Sequence, residues 1–158
     1  MRARFDGIFF SLVVVREGER YLLVEEADPA GGTFWYLPAG GVDAGEDFLA
    51  TAVRETQEEA SILIEPVGLL GADQVLAEDG RKTKIRFVFL ARMIGGSLKS
   101  VPDSESIRAA WFHPDELPNL RLRDGEVIEW IRIAEKLRGA PLPLLTCHNR
   151  SPLPPNQS

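Results

Sequence analysis

The chain has 158 residues, 44% hydrophobic and 27% charged, enough for one globular domain and too apolar for a wholly disordered chain. Its formal net charge of −6 argues against a protein that coats nucleic acid, because such binding draws on Lys and Arg contacts to phosphate. A single cysteine, Cys147, excludes an intrachain disulfide and a multi-thiolate zinc site, and only His113 and His148 are present to serve as imidazole ligands.

In chain order, the apolar, β-branched run 8–15 reads as a buried strand, too short to cross a membrane. No signal-peptide cleavage pattern follows it, so a reduced, cytoplasmic protein is expected. A polar turn leads to a hairpin partner at 21–24, and residues 34–37 form a short aromatic strand. Residues 39–45 hold three glycines and read as a loop. The clearest helix is 47–60, where Leu49, Ala52, Val53, Thr56 and Ala60 share one face. Extended segments follow at 62–70, 74–77 and 83–93, the last two flanking Asp79-Gly80, a hairpin turn signal. A polar loop at 97–106 leads to a strand at 107–112 and one helical turn at 114–117. Asp124 can cap a helix reaching Arg138, with Val127, Trp130, Ile131 and Ala134 on one face. The expected organisation is one α/β domain over residues 1–140 and a proline-rich tail over 141–158, loosely held or disordered.

The helix at 47–60 carries the chemistry. Glu55, Glu58 and Glu59 share an arc about 100° wide, opposite the apolar stripe. Carboxylates at i, i+3 and i+4 repel, and Glu58 and Glu59 lie at the helix end that disfavours negative charge. Arg54 can reach Glu58 but cannot neutralise all three. A solvated acidic face would explain three glutamates. A site for a hard divalent cation explains them better, since oxygen ligands suit Mg²⁺ and Mn²⁺, and the preceding glycines let a main-chain carbonyl turn toward the carboxylates.

With Gly40, Glu46, Arg54, Glu55, Glu58, Glu59 and Ile62 in register, the segment resembles the signature of the Nudix hydrolases. It departs from that pattern at Thr56, where the family has an apolar residue, and at Ser61, where it has glycine. The resemblance implies an α/β/α sandwich around a mixed β-sheet and a Mg²⁺-dependent pyrophosphohydrolase, with Mn²⁺ able to substitute. It implies that Glu55, Glu58, Glu59 and the main-chain oxygen of Ala39 hold the metal. Arg54 would orient the glutamates, and Glu46 would be structural. Glu105, in a stretch resembling the family's loop-to-strand segment, is a candidate general base, with Glu58 or Glu59 as alternatives and a solvated loop acid as the bland reading.

The runs Trp35-Tyr-Leu-Pro-Ala-Gly-Gly, Arg86-Phe-Val-Phe-Leu-Ala, Gly95-Gly-Ser-Leu-Lys, Ala109-Ala-Trp-Phe and Glu116-Leu-Pro look like the branch that cleaves oxidised-guanine nucleoside diphosphates to monophosphates. Trp35 and Phe87, with Phe34 and Tyr36, are candidates to stack a base, although core is the commoner place for most such aromatics. Arg86, with Arg81, Lys82 and Lys84, is a candidate for phosphate or an exposed strand face. The expected partner is a small-molecule nucleotide, with no membrane and no nucleic acid, and a homodimer is left open. ADP-ribose or ADP-sugar hydrolysis and a non-catalytic nucleotide-binding domain remain as alternatives. RNA-end hydrolysis is disfavoured by the charge.

Overall fold

The computed structural model describes residues 6–76 and 82–137; the Asp79-Gly80 turn, Arg81, Cys147, His148 and the proline-rich segment lie outside them. The first strand, β1 (Asp6–Glu17), lies at the centre of a mixed sheet. It runs parallel to β6 (Lys82–Gly96) from the Asp6–Lys82 pair to the Val15–Ala91 pair. At its far end it turns into β2 (Arg20–Ala27), which carries β3 (Thr33–Tyr36) and β7 (Arg108–Phe112). β5 (Ile62–Leu76) is antiparallel to β6. It is one strand where the sequence suggests two segments. Pro66, which cannot donate to a ladder, sits at one of its three register shifts.

Residues 39–45 are not wholly a loop. Ala39–Gly41 form β4, antiparallel to Phe10–Leu12 of β1. Ala-Gly-Gly has little strand propensity of its own, and pairing with a central strand overrides it.

Helix α1 (Phe48–Ala60) covers one face of the sheet and α2 (Glu126–Lys136) the other. Alternate residues of β1 divide between the two layers. Leu12 and Val14 pack with Val127, Ile131 and Ala134, while Val13 and Val15 pack with Ala52, Ala60 and Phe89. A strand buried on both faces reads as a continuous apolar run, which is the pattern of residues 8–15. The α/β/α sandwich is therefore the observed fold. No helix among the described residues is long and apolar enough to cross a membrane.

Candidate active site

The site is built on α1. Asp47 caps its start, its carboxylate accepting from the Ala50 N–H at 2.8 Å. Thr56 is fully buried with its hydroxyl returned to the Ala52 carbonyl at 2.8 Å, which is how a polar residue fits where an apolar one is expected. Ser61 ends the helix in the left-handed region, φ 59°, where the resembled pattern has glycine.

The acidic arc is less exposed than its helical position suggests. Glu55 and Glu59 are buried, each 8% exposed, and only Glu58 reaches solvent. Glu59 points at β4, where Oε2 accepts from the Ala39 N–H at 3.0 Å. Burial, opposed by that hydrogen bond and reinforced by Glu26, Glu55 and Glu105, pushes the Glu59 carboxyl up to about 9. Burial also raises Glu55, against the pull of Arg54. Gly40 also has a steric role: a β-carbon there would overlap the Glu55 carboxyl. Its bareness makes room for that side chain against β4.

Arg54 ties the cluster together. Its Nε and Nη2 donate to the two oxygens of Glu46 at 2.7 and 2.9 Å, a bidentate pair. Nη1 bridges Glu55 (2.6 Å) and Glu58 (3.1 Å), and Nη2 reaches the Gly41 carbonyl at 3.0 Å. Glu46 also accepts from the Thr51 hydroxyl, and its carboxyl is held down at about 2, chiefly by Arg54. Glu46 is thus committed to structure.

The donor set is all oxygen and fits a hard divalent cation. Among the described residues Glu59 accepts a hydrogen bond only from the Ala39 amide, and its burial favours the protonated form that a nearby cation would oppose. Among the described residues, however, no three acidic or imidazole side chains are grouped closely enough to hold one metal ion. The Arg54 guanidinium bridges Glu55 and Glu58 and supplies the positive charge between them.

Glu105 is exposed on the loop before β7 and close enough to Glu55 and Glu59 to raise both. That loop is pinned. Asp103 accepts from the amides of Glu105 and Ser106 and from the buried Lys99 Nζ at 2.6 Å.

A cleft of about 270 Å³ opens on the α2 side, lined by Phe10, Tyr36, Ala39, Lys84, Arg86 and Arg123 among others. It meets the acidic cluster at Ala39. Arg86 forms its floor and is fully engaged. It grips Asp73 through Nε (2.7 Å) and Nη2, and Glu126 through Nη1 (2.8 Å) and Nη2 (2.5 Å). Tyr36 also donates to Glu126. Lys84 sits over the Phe10 ring. Arg123 stacks on Phe34 and Tyr36, with its Nη1 3.6 Å from Glu26. The segment carrying it is tethered to β3 by hydrogen bonds on both sides of the Trp35–Leu122 bridge.

Trp35, Arg86 and Phe87 are not brought together. Trp35 packs edge-on to Phe112 beneath Arg108, outside the cleft lining. Phe87 points the opposite way from Arg86 and packs on Phe48 in the α1 layer. His113 caps the short 3₁₀ turn Pro114–Asn119. The contributions of Lys99, Ser106, Arg123 and Glu26 escape the sequence reading. Lys99 ends the run Gly95-Gly-Ser-Leu-Lys, but nothing in that run marks its contact with the helix end.

The fold is an α/β sandwich with an acidic helix end against its sheet, and the NUDIX domain model matches residues 8–131: the chain belongs to the Nudix family. It is 39% identical over 126 residues to the 8-oxo-dGDP phosphatase NUDT18 of Mus musculus, covering 78% of this chain and 37% of that protein. It is 30% identical to the ADP-ribose pyrophosphatase of Methanocaldococcus jannaschii over 74% of this chain and 68% of the relative. A solved NUDIX hydrolase from Nitrosomonas europaea superposes with a TM-score of 0.79 at 26% identity, covering 92% of this chain and all of that one. The chain spans a little over a third of the length of the mouse relative.

Proposed function

We propose that the chain hydrolyses a nucleoside di- or triphosphate to the monophosphate with Mg²⁺, Mn²⁺ being able to substitute, and that an 8-oxoguanine nucleotide is the substrate to test first. The observation that carries this reading is the meeting at Ala39 of a carboxylate-rich helix end with a cleft lined by Phe10, Tyr36, Lys84 and Arg123, where Arg86 is already paired with Glu126. The likeness to the mouse 8-oxo-dGDP phosphatase supports the choice of base.

In this reading Glu55, Glu58, Glu59 and the main-chain oxygen of Ala39 hold the metal. When bound, Mg²⁺ supplies positive charge against the diphosphate, polarises phosphorus and lowers the pKa of a water. Glu59 would have to be ionised to serve as a ligand, which its burial disfavours and a bound cation's charge would favour. Arg54 keeps Glu55 and Glu58 aligned through Glu46. Glu105 accepts the proton of the attacking water. Arg123, which lines the cleft and lies 3.6 Å from Glu26, offers donors to a phosphate or base, while Arg86 stays bound to Glu126 and Asp73. Trp35 and Phe87 support the strands that carry the cleft.

ADP-ribose is the second reading, favoured by the archaeal relative, which this chain matches over two thirds of its length. A non-catalytic domain is disfavoured by the intact set of Arg54, Glu55, Glu58 and Glu59. A screen of 8-oxo-dGDP, dGDP, 8-oxo-dGTP, dGTP, ADP-ribose and dinucleoside polyphosphates, with product identification, tests the proposal. The expected result is monophosphate release from 8-oxo-dGDP that is abolished by EDTA. Hydrolysis undiminished in excess EDTA overturns the metal role, and ADP-ribose turned over far faster than any guanine nucleotide selects the second reading.

A further inference from the structure

The four carbonyls at the end of an α-helix have no partner within it. On α1 these belong to Gln57, Glu58, Glu59 and Ala60, and two of them to proposed metal ligands. Gln57 O accepts from the Ser61 N–H at 3.0 Å, as in many helix ends. The other three all go to one segment. Glu58 O accepts from Lys99 Nζ at 2.5 Å, Glu59 O from the Ser106 hydroxyl at 2.5 Å, and Ala60 O from the Lys99 N–H at 2.9 Å.

Neither donor is a casual surface group. Lys99 is 7% exposed and Ser106 4%. Lysine is seldom so buried unless its charge is met, and here the Asp103 carboxylate meets it. The ammonium also stands at the negative end of the helix dipole, offsetting the repulsion that Glu58 and Glu59 suffer there. Asp103 in turn holds the Glu105 and Ser106 amides at 2.9 and 3.1 Å, and the Ser106 carbonyl accepts from the Asp103 N–H. Glu105 is therefore one residue from a hydroxyl locked onto the main chain of Glu59.

We propose that Lys99 and Ser106 are positioning residues, fixing the segment that carries Glu105 to the carbonyls of Glu58 and Glu59 so that Glu105 is in register with those carboxylates. The inference rests on the reading of Glu105 as general base. It adds what holds that base in place: side chains that bond to the main chain of the metal-binding turn. Water could satisfy the same carbonyls and stabilise the helix as well, but it would leave the position of Glu105 free to vary. Displacing a reacting group by about 1 Å can cost up to two orders of magnitude in rate.

A double-mutant cycle on the full chain tests this, with 8-oxo-dGDP and Mg²⁺ as substrate, or ADP-ribose where the screen selects it. Ser106→Ala and Lys99→Met are each expected to lower kcat about tenfold with KM changed less than about twofold, and Ser106→Thr to restore most of the rate. Mn²⁺ affinity of Ser106→Ala, read by electron paramagnetic resonance without nucleotide, is expected to stay within about twofold of wild type. In a Glu105→Gln background neither substitution should lower kcat further. Full loss in that background, a fall in Mn²⁺ affinity matching the fall in rate, or wild-type kcat in Ser106→Ala overturns the proposal. Wild-type kcat in Glu105→Gln alone overturns the base reading, and this inference with it. If Lys99→Met does not fold, the Ser106 arms decide.

Discussion

Two arginines organise this molecule, and their surroundings differ in what they leave over. Arg86 is gripped by Asp73 and Glu126, and Tyr36 adds a further donor to Glu126. Its donors and their acceptors are largely used up within the cluster, which serves as a rigid floor. Arg54 binds Glu46, Glu55 and Glu58, yet among the described residues Glu59 and Glu105 have no cation of their own, and Glu59 is driven toward its neutral form. One cluster is closed and the other has ligand capacity to spare. A salt-bridge network built for stability tends to the first condition, and a cation site must keep the second.

The largest expected effect breaks the open cluster. Glu58→Gln and Glu59→Gln should each lower kcat by about two orders of magnitude or more, measured with saturating nucleotide and Mg²⁺, with the fold retained by circular dichroism. Wild-type turnover in either variant would remove that residue from the ligand set. Arg86→Met breaks the closed cluster and should instead cost stability, about 2–3 kcal/mol by denaturant unfolding, because Asp73 and Glu126 lose their partner in a half-buried site. Its kcat should fall far less than that of the glutamate variants.

The contrast also predicts opposite signs for stability. The Glu59 carboxyl binds its proton more tightly folded, near 9, than unfolded, at an ordinary value of 4.5. Its contribution to stability is thus fully present below about pH 4.5 and is lost as pH rises toward 9. In chelator at pH 8, Glu59→Gln should be more stable than wild type by about 1 kcal/mol or more, and the difference should close near pH 4.5. Thermal melts at both pH values check this; a variant less stable than wild type at pH 8 would contradict it.

Much of the open cluster is legible in the sequence, because helical periodicity alone puts Glu55, Glu58 and Glu59 on one arc. What it does not show is depth: Glu55 and Glu59 are buried because β4 lies against them, and β4 exists only through pairing with β1. The closed cluster is far less legible. Arg86 meets Asp73 and Glu126 from 13 and 40 residues away, and nothing local marks those partners. That Arg86 and Phe87 cannot share a site follows from strand alternation, a signal present in the sequence. Lys99 and Ser106 read as solvated loop residues, since only the fold brings them to the helix end. Cys147, His148 and the proline-rich segment lie outside the described residues.

The smallest expected effect lies at the junction of helix and strand. Ser61 holds φ 59° at a cost of about 1 kcal/mol, which glycine would not bear. Ser61→Gly should raise stability by about 0.5–1 kcal/mol, less the greater freedom of glycine in the unfolded chain, with kcat unchanged. A thermal melt and a rate measurement together decide it.

Mn²⁺ binding without nucleotide, followed by electron paramagnetic resonance in wild type, Glu58→Gln, Glu59→Gln and Arg86→Met, tests most directly whether the α1 carboxylates form a divalent-cation site. Affinity should fall at least about tenfold in both glutamate variants and stay near wild type in Arg86→Met. Undiminished Mn²⁺ affinity in the two glutamate variants, or an equal fall in Arg86→Met, would contradict it.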